Sequence, residues 1–304
     1  MKRRAYGRDR GLTARMVTVT FLLGALYIAF FIVLVQLLNF GIGIAIVFAA
    51  GLAIFQWYTS DKVALMASGA KVVTPDEAPQ LHAMIDRLCA MADLPKPRVA
   101  VIDTDMPNAF ATGRTPKHAA IAVTTGLWNR LEPREVEGVL AHELSHIGNR
   151  DVTIMTIASF FGMLAAILTR FGLYAGMFGG GRSRDSNGTP VWLIMFLVSI
   201  VVYALSWVLM MAISRYREFA ADRGSALITG APENLMSALQ KIASRMVQIP
   251  QRDLREVAGM NAFFIVPTNV RQRTAELFMT HPPLEKRLAA LAEIAREMGR
   301  PVPS

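Results

Sequence analysis

The sequence predicts a mainly α chain with a small β-sheet (α+β), its soluble parts joined to about four transmembrane helices. Three observations carry that expectation. Four long stretches of the 304 residues are free of charge, and a helix needs about 20 apolar residues to span a bilayer. The basic residues crowd the segments between those stretches. Those segments also hold apolar residues at helical spacing and two short β-branched runs, which are signatures of helices and strands.

Composition agrees. Hydrophobic residues make up 53% of the chain and the mean hydropathy is +0.36, more apolar than a typical soluble domain. The net charge is +9. Its clustering beside apolar runs is the pattern of an integral membrane protein, not of a nucleic-acid binder, so no nucleic-acid partner is expected. The single cysteine, Cys89, excludes an internal disulfide and has no cysteine partner for a structural zinc site. It reads as a small core residue.

Residues 1–60 form a basic N-terminus and a helical hairpin. Lys2, Arg3, Arg4, Arg8, Arg10 and Arg15 stand against Asp9 alone, and 17–38 is uncharged. A signal peptide has a shorter apolar region that ends at a small-residue cleavage site, whereas this run is long enough to span a bilayer, so it reads as a permanent anchor. A second uncharged run, 42–58, closes with Trp57 and Tyr58 at an expected interface. The positive-inside rule puts the N-terminus in the cytoplasm, with the chain returning there near Asp61 and Lys62.

Residues 61–150 read as soluble. Thr74-Pro75-Asp76-Glu77 reads as a helix start, with a cap, a first-turn proline and acids at the positive dipole end. Leu81, Met84, Ile85 and Leu88 continue it at helical spacing. His82, beside that stripe, reads as a surface or boundary histidine. Runs 98–102 and 119–124 read as strands separated by a turn-rich stretch, 105–113. A plain hairpin is the simpler arrangement, and an edge strand able to pair with an extended peptide is the alternative. His118 reads as structural. Pro133 opens the next helix and Gly148-Asn149 closes it.

Residues 151–213 form a second apolar hairpin. Run 152–169 is followed by Arg170, which can snorkel. Residues 179–190 form a Gly-rich polar loop, and 191–213 is a fourth uncharged run. The alternative for these two runs is a buried or interfacial hairpin that does not fully span. Residues 214–304 are soluble and basic, with helices opening at Pro232 and Pro283.

Chemistry enters with His142-Glu143-Leu144-Ser145-His146. On a helix, side chains four apart share a face, so the two imidazoles can bind one zinc ion and Glu143 can act as general base toward water. Val136, Val139, Leu140, Leu144 and Ile147 make the rest of the helix apolar, so the motif is a polar set on a mostly buried element. Such a set needs partners. A zinc protease also needs a third protein ligand. Glu218 and Asp222 are four apart, just after the fourth apolar run, with small Ala220 and Ala221 between them. Glu218 could ligate, and Asp222 could accept a hydrogen bond from a ligand imidazole. An ordinary Arg/Glu surface helix is the alternative. The hairpin 151–213 favours the first, because it would bring His146 and Glu218 to one membrane face.

His142–His146, the 218–222 segment, Asn108-Ala109-Phe110-Ala111-Thr112-Gly113 and Thr280-His281-Pro282-Pro283, in this order and with the apolar hairpins, closely resemble the HtpX family of bacterial heat-shock membrane proteases. That family is related to the CaaX prenyl endopeptidases. The resemblance covers nearly the whole chain. It implies a thermolysin-like (zincin) catalytic domain, cytoplasmic, on a multi-pass inner-membrane protein. It implies one zinc ion per subunit on His142, His146 and Glu218, with Glu143 as catalytic base and Asp222 behind the ligands. Asn108 would line the substrate cleft on the strand that aligns substrate. His281 would stabilise the oxyanion, and Arg287, also at the cleft, would orient this region. The implied reaction is zinc-dependent endoproteolysis of misfolded or damaged membrane proteins or other unfolded polypeptides, with the lipid bilayer as partner. A non-cutting metal-binding regulator would not need Glu143. A transporter would need ionisable residues in its apolar runs, which hold almost none. A processing enzyme for prenylated C-termini stays open.

Overall fold

The computed structural model describes residues 10–38, 42–151, 170, 191–248 and 282–302. Their helices are α1 (Arg10–Leu38), α2 (Ile42–Ala67), α3 (Pro79–Ala92), α4 (Thr125–Arg130), α5 (Pro133–Asn149), α6 (Val191–Thr229), α7 (Pro232–Gln248) and α8 (Leu284–Glu297). The strands are β1 (Lys71–Val72), β2 (Arg98–Ile102), β3 (Ala109–Thr112) and β4 (Ala120–Thr124). The architecture is mainly helical with one small mixed sheet.

Two compact units are present, one drawn from 59–153 and 214–304 with the start of the chain, the other from 13–58 and 154–213. In the second unit, α1 and α6 meet through Leu23, Tyr27 and Ile213, and through Phe30 and Val202. Elsewhere these helices expose large apolar side chains: Phe21 is 72% exposed, Ile28 66% and Val201 54%. A helix that is apolar all round and still uncovered suits lipid rather than a water-facing surface. Ala14–Val33 and Trp192–Thr229 are long and apolar enough to cross a membrane, two such helices among the described residues. The expected third span, 152–169, lies outside those residues. The second expected run is helical, but its helix continues past Asp61 and Lys62 to Ala67. Asp61 does not end it, because its carboxylate is buried against Arg98, Nη2 to Oδ2 2.9 Å.

The sheet has the order β1-β2-β4-β3. Both expected strands form, but as a parallel pair with Arg98 opposite Ala120. They are not a hairpin. The turn-rich stretch between them contains β3, which runs antiparallel to β4 on its far side, so β4 lies centrally and is buried along its length. Ile121 and Val123 face the main core with Val99, Leu140 and Leu144. Ala120 and Ala122 join Ala100, Phe110 and Leu65 on the other face. Burial on both faces explains a β-branched and alanine run without polar alternation. Gly113 makes the turn from β3 possible. It sits at φ +129, and an added Cβ would fall 2.5 Å from the Ala119 Cα, so only glycine fits.

Thr74-Pro75-Asp76-Glu77 closes a turn of its own instead of starting α3. The Thr74 N–H and Oγ1 both donate to Glu77 Oε2, at 2.6 and 2.9 Å, and α3 begins at Pro79. The two later helices start where expected, α7 at Pro232 and α8 just after Pro283.

Candidate active site

The site is built on α5. Its N-terminus carries a reciprocal capping box between Glu132 and Glu135, with Pro133 in the first turn, an arrangement that satisfies two otherwise orphaned backbone donors. Its face from Val136 to Ile147 is buried. Two close approaches fix its position. Gly138 lies where a Cβ would meet the Leu235 nitrogen of α7 at 3.0 Å, and Ser225 Oγ on α6 donates to the Gly138 carbonyl at 2.7 Å. On α6, Gly224 faces Ser145, with room for no side chain between them. Glycine and serine, as well as the alanines at 220 and 221, therefore let α6 press against the motif helix. Gly148 stays within α5, and the left-handed residue that ends the helix is Arg150, at φ 59.

His142, His146 and Glu218 converge. The two Nε2 atoms are 3.1 Å apart, and the Glu218 carboxylate oxygens lie 3.6 Å from His142 Nε2 and 3.5 Å from His146 Nε2. Zinc bound tetrahedrally at 2.0–2.1 Å separates its ligand atoms by about 3.3 Å, so these three donors already stand near the edges of a zinc tetrahedron. Two ring nitrogens this close repel unless a cation or proton lies between them. Each residue is buried, and the donor set of two imidazoles and a carboxylate suits zinc. The residues present fit the metal.

Behind each imidazole stands a carboxylate, and behind each carboxylate an arginine. His142 Nδ1 is 3.0 Å from Asp222 Oδ1. Arg287 clamps Asp222 through two bonds, of 2.9 and 2.6 Å, and reaches Glu218 at 3.2 Å. His146 Nδ1 is 2.7 Å from Asp151 Oδ2, with Arg217 Nε 3.2 Å from the other Asp151 oxygen. Asp151 and Arg217 were not singled out from the sequence. The signal for Asp151 is faint, since a carboxylate five residues beyond the second histidine shares no helical face with it.

These charges set the protonation states of the metal-free centre. Burial opposes an imidazolium at His146, but the bonds and charges of Asp151 and Glu218 outweigh it and push the group up to about 10. Burial likewise opposes charge at His142, and its bonds to Asp222 and Glu218 raise it nonetheless. Burial would raise Asp222, but Arg287 and the His142 bond hold it below the usual carboxylate range. Glu143 is raised, mainly by burial, against the lowering effect of the two histidines.

Glu143 is 4% exposed and its Oε2 accepts a 2.8 Å bond from the Ala111 N–H. Ala111 is on β3, which among the described residues has β4 as its one neighbour in the sheet. The general-base candidate thus touches the edge strand directly. Asn108, just before that strand, is buried, and its backbone N–H and C=O both bond to the Thr124 hydroxyl at 2.9 Å. Arg287, expected at the cleft, is buried behind Asp222 and Glu218. His281 lies outside the described residues.

The other histidines have structural partners. His82 is buried rather than at the surface, its Nε2 3.1 Å from the Val73 carbonyl. His118 Nδ1 is 2.9 Å from Thr115 Oγ1. Cys89 is buried, and burial pushes its thiol up to about 11, which makes it unreactive.

Comparison with known proteins agrees with this geometry. Residues 75–295 match Peptidase family M48. The chain is 54% identical over 297 residues to a protein named Protease HtpX homolog from Moorella thermoacetica, covering 97% of this chain and 98% of that one. It is 49% identical to Protease HtpX homolog 2 of Methanosarcina acetivorans, covering 98% of this chain and all of the other. It is 48% identical to Protease HtpX homolog 1 of Streptomyces coelicolor, covering 96% and 95%. The crystal structure of S. mikatae Ste24p shares the fold with a TM-score of 0.56 at 21% identity, matching 92% of this chain and 65% of that one. With ligand geometry, family match and near full-length identity in agreement, the chain belongs to peptidase family M48, among the HtpX-like metalloproteases.

Proposed function

We propose that this protein is a membrane-integrated, zinc-dependent endopeptidase with a thermolysin-like catalytic domain facing the cytoplasm, acting on misfolded or damaged membrane proteins. The observation that carries the proposal is the triangle of His142, His146 and Glu218 donor atoms at 3.1–3.6 Å, with Glu143 bonded to an edge strand beside it. Four spans are proposed, with 152–169 as the third. The basic N-terminus supports the orientation.

His142, His146 and Glu218 would hold one zinc ion, which when bound supplies Lewis acidity for hydrolysis of a peptide bond. Glu143 takes the proton of the attacking water and returns it to the departing amine. Burial, which raises its affinity for protons, suits a base that must also act as an acid. The substrate lies extended along β3 and adds a strand to the sheet edge, so specificity rests mainly on backbone hydrogen bonds. That suits unfolded clients of varied sequence. Asn108 positions the strand, Arg287 holds the carboxylates behind the ligands, and His281 stabilises the oxyanion.

The test is purification of wild type and Glu143→Gln in detergent, with bound metal and cleavage of an unfolded membrane protein measured together. Stoichiometric zinc in both, with chelator-sensitive cleavage about 10²–10⁴-fold slower in the variant, is expected. Equal cleavage by the two proteins would remove Glu143 from the mechanism. A requirement for a lipidated C-terminal cysteine would overturn the substrate class.

A further inference from the structure

The two imidazoles are held differently. The carboxylate behind His142 comes from α6, as does Glu218. The carboxylate behind His146 comes from Asp151, two residues beyond the end of α5. At that spacing a continuing helix would point Asp151 away from His146. It does not, because Arg150 takes the left-handed conformation at φ 59 and its N–H closes onto the His146 and Ile147 carbonyls. Few residues other than glycine adopt this conformation, so the turn is a specific one. It places a fully buried carboxylate 2.7 Å from His146 Nδ1. The second Asp151 oxygen meets Arg217 Nε at 3.2 Å, and Arg217 directly precedes Glu218 in the chain.

We propose that Asp151 is a positioning residue for His146, and that the Asp151–Arg217 pair is a strut tying the second histidine to the backbone that carries the third ligand. Asp151 accepts a hydrogen bond from Nδ1–H and so leaves Nε2 as the nitrogen that would ligate, which fixes both tautomer and ring angle. Through Arg217, the same carboxylate sets how far the Glu218 segment stands from His146. The strut is separate from the Arg287–Asp222 clamp and serves the other imidazole, so each histidine has its own carboxylate and arginine. This inference rests on the zinc site proposed above.

The experiment measures zinc dissociation constants of the full-length protein in detergent by competition with a chromogenic chelator. Thermal unfolding of the zinc-free form is followed in parallel. Asp151→Asn is expected to weaken zinc binding by about 10–100-fold. Arg217→Gln is expected to weaken it by less. The double variant is expected to fall no further than Asp151→Asn, because residues in one network are not additive. In cobalt-substituted protein, both single variants are expected to shift the visible absorption bands, which a merely structural role would leave in place. A wild-type zinc constant and cobalt spectrum in Asp151→Asn, or strictly additive losses in the double variant, would overturn the strut. Should Asp151→Asn fail to fold, Arg217→Gln carries the test, and a wild-type zinc constant there overturns it. His146→Ala serves as the control. If it binds zinc as tightly as wild type, the metal site itself is wrong. If it loses zinc while Asp151→Asn does not, only the strut fails.

Discussion

Gly224 offers a direct test of how helix packing sets the metal centre. A Cβ added there would lie 2.7 Å from the Ser145 Cβ and would also overlap Ser145 Oγ. Carbon atoms pack at about 3.5–4.0 Å, so Gly224→Ala must part α5 from α6 by about 1 Å. Glu218 is on α6, while His142 and His146 are on α5, separated from its carboxylate by 3.6 and 3.5 Å. Opening these distances by that amount brings them to about 4.5 Å, beyond the roughly 4.2 Å that a single zinc with 2.1 Å bonds can bridge even in a straight line. Side-chain rotation recovers part of the gap, so a loss of zinc affinity of about 10–100-fold is expected, on the scale of losing a supporting residue. Overpacking costs about 1–3 kcal/mol, and replacing a helical glycine by alanine offsets about 1 kcal/mol of it. The change in zinc-free stability is therefore small, and the effect appears in the metal. Chelator competition reads the affinity and thermal unfolding of zinc-free protein reads the stability. Adding Ser145→Gly removes both overlapping atoms and should restore zinc binding. Gly224→Ala with a wild-type zinc constant, or a double variant that does not recover, would refute the link between this approach and the ligand spacing.

Other outcomes follow from the same geometry. His146, pushed up to about 10 in the metal-free protein, lies above its unfolded value of about 6.5. It therefore stabilises the zinc-free form fully below pH 6.5 or so and loses that contribution as pH rises toward 10. Because zinc must displace this proton, zinc affinity should rise with pH over the same window, seen by titration in buffered chelator. Arg287→Leu takes the arginine charge away from the buried Asp222 and Glu218 carboxylates and should cost about 3–5 kcal/mol, measured by denaturant unfolding of zinc-free protein. A wild-type midpoint would show that the clamp is not holding them. Gly126→Ala places a Cβ into the Asp105 backbone and should lower the melting temperature without changing the zinc constant at temperatures where the protein stays folded.

The parts of the site that obey helical spacing were legible in the chain. His142 and His146 share a face because they are four apart, and Glu218 with Asp222 repeat that interval. What escaped depends on departures from regular geometry. Asp151 reaches His146 through one left-handed residue, which no periodicity announces. Strand β3, Ala-Phe-Ala-Thr, lies between Pro107-Asn108 and Gly113, so turn residues hid it. The family resemblance implied a strand at Asn108, but the residues themselves read as a turn, and so the parallel pairing of β2 and β4 was hidden too. A two-residue strand such as β1 carries no pattern at all. Asp61 and Lys62 resembled the end of a membrane helix because sequence shows a charge but not the Arg98 that neutralises it. Thr74 was read as a helix cap from its residue type, but its hydroxyl donates to Glu77 in a turn ahead of the helix.

The centre draws its pieces from three places along the chain: the α5 histidines with Asp151, the α6 residues from Arg217 to Asp222, and Arg287 on α8. On the ribosome these emerge in that order, with the uncharged stretches 152–169 and 191–213 between the first and second. A chain growing at about 5–20 residues per second leaves the histidines without a third ligand for on the order of ten seconds. The arginine that neutralises Glu218 and Asp222 arrives later still. A protease is itself an unfolded polypeptide while it is being made. Distributing the ligands in this way keeps the metal site of the nascent chain incomplete until Glu218 has emerged, and its carboxylates unneutralised until Arg287 follows.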